Sequence, residues 1–230
     1  MKQLFIIGMQ KSGTSLLNRM LMQQKVVKNP FLPEGKFFWG DNPPFNPVDE
    51  PCGQLYQNHS GNNGHYLNAQ DFNLNHQKLL FDRIKQADIS EPILMNKNPY
   101  NTVRIEWLKK VFPQCIIVAM ARNPLANVYS LLKKYQLSDN ELEDGWWGIK
   151  PKNWKKIISP SKVEQCSNQW NEVNKEILAQ IDNIDLLINY DDLCQKPNAI
   201  VSQSIELCSI QHSVKNLPIC KNFNDEYQTG

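Results

Sequence analysis

Nowhere do the 230 residues offer an uninterrupted apolar run approaching the roughly 20 residues that a bilayer-crossing helix needs. The opening MKQLFIIGMQ has one lysine and a short apolar run, but Gly8, Gln10 and Lys11 end it too soon for a secretory signal. An excess of charge is missing as well: 25 basic residues face 23 acidic ones, for a net charge of +2. That is too little field to gather nucleic acid or an anionic membrane, so any anionic ligand has to be captured by a few well-placed groups. Cysteine pairs are absent. The six cysteines, at 52, 115, 166, 194, 208 and 220, form no CxxC and meet no histidine at zinc-ligand spacing. They read as reduced thiols packed as small apolar groups, which predicts a soluble, cytoplasmic protein without a structural metal.

What remains is the composition of an ordinary folded protein, 41% hydrophobic and 21% charged. The length suffices for one α/β domain with a sizeable core, and no linker or repeat divides residues 1–230. Leu4-Phe5-Ile6-Ile7 is a continuous apolar run that suits a central parallel strand buried on both faces. Thr14 to Gln24 carries apolar residues at helical spacing, with Ser12 or Thr14 as candidate cap. Further strands are expected at Val26-Val27, Ile93-Met95, Cys115-Met120 and Leu186-Ile188. Helices are expected over 72–87, 102–112, 124–132, 161–181 and 198–208, while 30–75 and 217–230 lack a regular pattern. Strands alternating with helices predict an α/β fold with a central parallel sheet of about five strands, flanked by helices. Right-handed crossovers then gather the strand C-terminal ends, and the ligand with them, on one edge.

The first strand runs directly into Gly8-Met9-Gln10-Lys11-Ser12-Gly13-Thr14-Ser15 and then a helix. A glycine turn between strand and helix N-terminus is an anion site, because free amides and the helix dipole converge there. It is also, more plainly, a tight turn. The lysine's place separates nucleotide classes: a nucleoside-triphosphate loop carries Lys directly after the second glycine, where this chain has Thr14. Lys11 lies inside the loop instead. A second strand, CIIVAMA, delivers Arg122 and Pro124, with Ser130 about two turns into the following helix. A guanidinium and a hydroxyl so placed suit a phosphate, and they would equally serve as an ion-pair partner and an ordinary helical serine.

Together, the Lys-Ser-Gly-Thr loop and the later Arg122…Ser130 pair resemble the two phosphate motifs of the sulfotransferases that use 3′-phosphoadenosine 5′-phosphosulfate (PAPS). The likeness spans Phe5 to Asp192 in the family's order. It implies the P-loop-containing sulfotransferase-like fold, PAPS as donor with PAP (adenosine 3′,5′-bisphosphate) as product, and no metal. Gln10, Lys11, Ser12, Gly13, Thr14 and Ser15 would hold the 5′-phosphosulfate, with Lys11 on the bridging and sulfuryl oxygens; Arg122 and Ser130 would hold the 3′-phosphate. Lys97, in Asn96-Lys97-Asn98-Pro99, resembles the Lys-x-Pro lysine of the carbohydrate members and would sit beside the sulfuryl group and the acceptor. Glu34, in Pro33-Glu34-Gly35-Lys36-Phe37-Phe38, resembles the glutamate base of the heparan-type members. Burial against Phe37 and Phe38 would raise its pKa, whereas Lys36 could equally hold it ionised. His59 and His65 are the alternative bases, since the small-molecule members use a histidine. Trp146-Trp147-Gly148 through Trp154 resembles a bacterial-type segment that walls the acceptor pocket, Tyr190-Asp191-Asp192-Leu193 a structural one, and Asn222–Thr229 falls where members bring a loop over the nucleotide.

The reading is a transferase acting on a small-molecule or carbohydrate hydroxyl or amine, with Lys11, Lys97 and Glu34 at the chemistry. A P-loop kinase and a non-catalytic nucleotide-binding protein of the same fold are the competing readings. Thr14 counts against the first, and the survival of both phosphate motifs against the second. Acceptor and oligomeric state are not legible.

Overall fold

The computed structural model describes residues 1–32, 34–39, 63–138 and 145–224. His59, Cys52, Pro33 and the end of the tail lie outside the described residues. Strand β1 (Lys2–Gly8) is followed by α1 (Thr14–Met22), β2 (Val27–Lys28), α2 (Lys36–Trp39), α3 (Leu74–Gln86) and β3 (Ile93–Lys97). Then come α4 (Ile105–Val111), β4 (Ile116–Ala121), α5 (Pro124–Ser138), α6 (Lys162–Ala179), β5 (Leu186–Asn189), α7 (Tyr190–Gln195) and α8 (Pro197–Glu206). The five strands pair in parallel in the order β2-β3-β1-β4-β5, the α/β sheet that the apolar runs predict.

Side chains of β1 alternate between two cores. Phe5 and Ile7 face one side with Leu94, Ile117 and Ala119, and there Trp39, Leu80, Trp107, Tyr135 and Val173 from α2 to α6 cover the sheet. Leu4 and Ile6 face the other with Met95, Val118 and Ile188, covered by Leu17, Leu193 and Val201 from α1, α7 and α8. Burial on both faces is why these strands read as unbroken apolar runs. The register sets Ile6 opposite Lys97, Gly8 opposite Met120 and Ala121 opposite Asn189, so β1, β3, β4 and β5 end along one edge.

Local chemistry corrects several boundaries. The helix expected over 102–112 is a 3₁₀ turn, Pro99–Val103, and then α4. The Asn98 side chain accepts from the Tyr100 amide 2.9 Å away, and Pro99 begins the turn. Thr102 Oγ1 donates to Pro99 O at 2.5 Å and accepts the Gly8 amide at 2.8 Å, which ties the turn to the end of β1. Helix α3 starts at Leu74 because Asn73 Oδ1 caps the amides of Asn75 and His76. Helix α7, only six residues long, is too short to show a period.

At Gly8 the chain leaves the sheet with φ 139°, and a Cβ there would lie 2.6 Å from Met120 O. Gly8→Ala is therefore expected to cost about 1–3 kcal/mol, from left-handed strain and displaced β4 backbone. Urea denaturation of the two proteins checks it; equal midpoints would show that the turn relaxes freely.

Candidate active site

The loop after β1 is shaped by backbone strain and contact. Lys11 has φ 67° and Gly13 φ 104°, both in the left-handed region. A Cβ on Gly13 would fall 2.6 Å from the Tyr190 ring, so only glycine lets the loop lie against α7. Gly13, rather than Ser12 or Thr14, is the cap residue of α1, and no side chain caps that helix. Ser12 is instead fully buried, and its Oγ has no hydrogen-bond partner; Gln10 Oε1 is buried and unpartnered too. A helix start without a side-chain cap, beside orphaned polar atoms, fits an anionic group better than a closed turn does. Asn127 Nδ2 holds the loop from α5 through Gln10 O at 2.8 Å.

Arg122, one residue past β4, reaches across to this loop. Its Nη1 donates to Lys11 O at 2.9 Å and to Ser130 Oγ at 3.4 Å. Its Nε donates to Asn224 Oδ1 at 2.7 Å and its Nη2 to Phe223 O at 2.8 Å. The guanidinium lies 4.5 Å from the Tyr190 ring centroid, a cation–π contact on a nearly buried aromatic. Asn224 is anchored in turn by donating through Nδ2 to Asp191 Oδ1 at 2.6 Å, and Asn222 Nδ2 donates to the same oxygen. The tail thus does meet the second phosphate motif.

At the end of β3, Lys97 Nζ pairs with Glu34 Oε1 and donates to Ser15 Oγ at 3.3 Å. Glu34 has φ 54°, and its carbonyl accepts from Asn98 Nδ2 at 2.7 Å. Glu34 Oε2 is buried without a partner. The structure pairs Glu34 with Lys97, a partner the sequence does not suggest.

The tryptophan segment is locked by buried amides. Trp147 N donates to Tyr135 Oη at 3.1 Å, and Gln169 Nε2 donates to the carbonyls of Trp147 and Ile149, both at 2.9 Å. This sets Trp147 with Lys11 Nζ 5.8 Å from its ring centroid. The Lys11 pKa is lowered, first by burial and then by the charge of Lys134. His65 belongs to the same scaffold: its Nδ1 accepts the Lys150 amide at 2.8 Å, and its ring stacks on Tyr100 with centroids 3.9 Å apart. Burial, reinforced by Lys150, pushes its pKa down to about 3.

Lys11, Ser12, Gly13, Ser15, Lys97 and Glu34 are thus linked around the C-terminal ends of β1 and β3, with Arg122 and Ser130 joined to them through Lys11. Thr14 opens α1 in the same loop and is buried. His65 is not among them. Sequence reading gave no role to Tyr190, Asn127 or Thr102, and reached Asn224 only as part of the 222–229 segment expected near the nucleotide. Tyr190 also carried a signal, as the first residue of a motif read as structural. Among the described residues no group of three or more His, Cys, Asp or Glu could hold a metal ion, and no helix is long and apolar enough to cross a membrane.

Comparisons with known proteins agree on this scaffold. The sequence model described as "Sulfotransferase family" matches residues 3–213. A sulfotransferase from Alicyclobacillus acidocaldarius superimposes with TM-score 0.55 at 16% identity, covering 95% of this chain and 84% of that one. The sulfotransferase domain from the curacin biosynthetic pathway gives TM-score 0.55 at 17% identity, over 92% and 75% of the two chains. Sulfotransferase STF9 from Mycobacterium avium gives TM-score 0.56 at 14% identity, over 99% and 67%. A search of curated proteins returned no match.

His65 provides a test independent of ligands. The folded protein keeps it neutral down to about pH 3, while the unfolded chain protonates it near its ordinary 6.5. Between those values the unfolded state binds the extra proton, so stability falls with falling pH by up to about 1.4 kcal/mol per unit. His65→Gln is expected to flatten that share of the dependence in urea melts from pH 7 to 4. An unchanged slope would mean that His65 titrates freely in the fold.

Proposed function

The chain belongs to the sulfotransferase family, and from that premise we propose that it moves a sulfuryl group from PAPS to a hydroxyl or amine of a small-molecule or carbohydrate acceptor, releasing PAP. One observation carries the reading: Arg122 donates both to the carbonyl of Lys11 and to Ser130, which ties the two phosphate motifs to each other. PAPS supplies an activated sulfuryl group on a 5′-phosphate and a second phosphate at the 3′ position.

The chain's own residues then divide the work. Gln10 to Ser15 surround the 5′ end with backbone amides and the buried Ser12 hydroxyl. Arg122 and Ser130 take the 3′-phosphate, which exchanges for the tail acceptors Phe223 O and Asn224 Oδ1 on the guanidinium. Lys11 meets the charge that develops on the bridging oxygen, where a fixed cation lowers the barrier. Lys97 approaches from β3, steadied by Ser15. Glu34 is the base: Oε1 is engaged by Lys97, leaving Oε2 to receive the acceptor's proton. His65 does not serve, because its Nδ1 is already an acceptor within the scaffold.

Calorimetry tests the nucleotide first. The protein is expected to bind PAP without metal and ATP–Mg²⁺ much more weakly, Thr14 standing where a triphosphate loop has lysine. Equal or tighter ATP binding would overturn the donor assignment in favour of a kinase. Arg122→Ala is expected to weaken PAP by about 1.5–3 kcal/mol, roughly ten- to a hundredfold, in a protein whose circular dichroism is unchanged.

For the chemistry, Lys11→Ala is expected to lower turnover about 10²–10³-fold with a much smaller change in PAP affinity. Glu34→Gln should lose about 10²–10⁴ in turnover and keep PAP binding. A parallel fall of binding and rate in Lys11→Ala would make it a ground-state contact only, and a fully active Glu34→Gln would remove the base.

A further inference from the structure

Lys134 has no part in the site described so far, yet its ammonium lies 5.7 Å from the centroid of the Trp147 ring, against which Lys11 also lies. The two lysines come from different elements, the loop after β1 and the C-terminal half of α5. Neither has a carboxylate partner among the described residues, whereas Lys97, Lys109 and Lys175 pair with Glu34, Asp185 and Glu172. Lys134 is half-buried rather than waving in solvent, and its charge is felt at Lys11. Two ammonium groups brought toward each other across a partly buried surface repel, and the repulsion is relieved when an anion takes its place beside them.

The convergence is not a loose surface accident. Tyr135, the next residue of α5, holds the main chain of Trp147 by two hydrogen bonds, accepting from its amide at 3.1 Å and reaching its carbonyl at 3.2 Å. Gln169 grips the same carbonyl from α6. The backbone that carries the indole is therefore held in place, and the ammonium groups of Lys11 and Lys134 lie 5.8 and 5.7 Å from its ring centroid. Along α5, Lys134 stands one turn beyond Ser130, on the same side of the helix. It so lies next to the nucleotide site, toward the Lys11 end.

We propose that Lys134 is a second cation for the sulfuryl end of the donor, binding sulfonate oxygens alongside Lys11 beside the Trp147 ring that both lysines meet. This rests on the PAPS reading above and extends it to a residue that neither phosphate motif contains. The sulfonate is favoured over the 3′-phosphate because Arg122 and Ser130 already supply that phosphate's donors, and because the group that shares the indole with Lys134 is Lys11.

Four adenine nucleotides separate the possibilities by the anions they carry: AMP, PAP, adenosine 5′-phosphosulfate and PAPS. Calorimetry compares the wild type with Lys134→Met, which keeps the aliphatic stem, and Lys134→Arg, which keeps the charge. The expected result is a loss of roughly tenfold for adenosine 5′-phosphosulfate and PAPS in Lys134→Met, the scale of one charge-assisted hydrogen bond. PAP and AMP should stay within about twofold of wild type, and Lys134→Arg should recover most of the sulfonate affinity. Equal losses for PAP and PAPS would overturn the proposal and assign Lys134 to a phosphate, the 3′ one if AMP is spared and the 5′ one if AMP is weakened too; unchanged affinity for all four would also overturn it. Failure of the wild type to bind PAP at all would instead sink the donor reading on which the proposal stands.

Discussion

The hydrogen bond from the Arg122 guanidinium to the carbonyl of Lys11 is the constraint on which the site depends. It joins the end of β4 to the loop after β1, and those two strands are neighbours at the centre of the sheet. Because the bond runs to a main-chain oxygen, it fixes the path of the loop rather than the rotamer of one side chain. That path includes left-handed backbone at Lys11, a conformation a lysine adopts only when its surroundings over-determine it. The Tyr190 ring completes the clamp: the guanidinium rests on it and Gly13 presses against it. Three separate segments of chain thereby agree on one geometry.

The sheet was legible in the sequence because its strands are buried on both faces, and unbroken apolar runs such as Leu4–Ile7 have few other uses. The glycine loop and Arg122 were legible for a related reason, since both sit at strand ends where position alone gives a residue type its meaning. The Lys97–Glu34 pair was not. Its partners are 63 residues apart and belong to segments whose relation only the closed sheet determines. Tyr190 was read as structural because its segment resembles one that is structural in the family; its use depends on what lies above it, which spacing does not encode. The boundaries that slipped did so where an asparagine captured a nearby amide, as Asn98 and Asn73 do, and set a helix start two or three residues from where periodicity puts it.

Buried amide side chains have a large share in this molecule. Asn18 and Asn29 pair at 2.9 Å beneath α1, Asn96 accepts from the Trp39 indole at 3.3 Å, and Gln165 and Gln169 hold the backbone from Gly145 to Ile149. Each such group costs free energy if left unpaired and specifies one arrangement when paired. The result is a rigid mounting for side chains that carry charge. His65 illustrates the distinction: a histidine beside a candidate site became part of the mounting, because its ring nitrogen was needed by a backbone amide.

The partners of Arg122 are spread widely along the chain: Lys11 lies 111 residues before it, and Phe223 and Asn224 lie 101 and 102 residues after. Seen in the order of synthesis, β1, β3 and β4 are all made before the ribosome reaches β5 or the tail. The centre of the sheet can pair at that stage, while the guanidinium still lacks two of its acceptors and the Tyr190 ring beneath it. Contacts between residues so far apart in sequence form late. The region around Arg122 is thus completed last, and a nascent chain holds a formed core well before it holds a finished site.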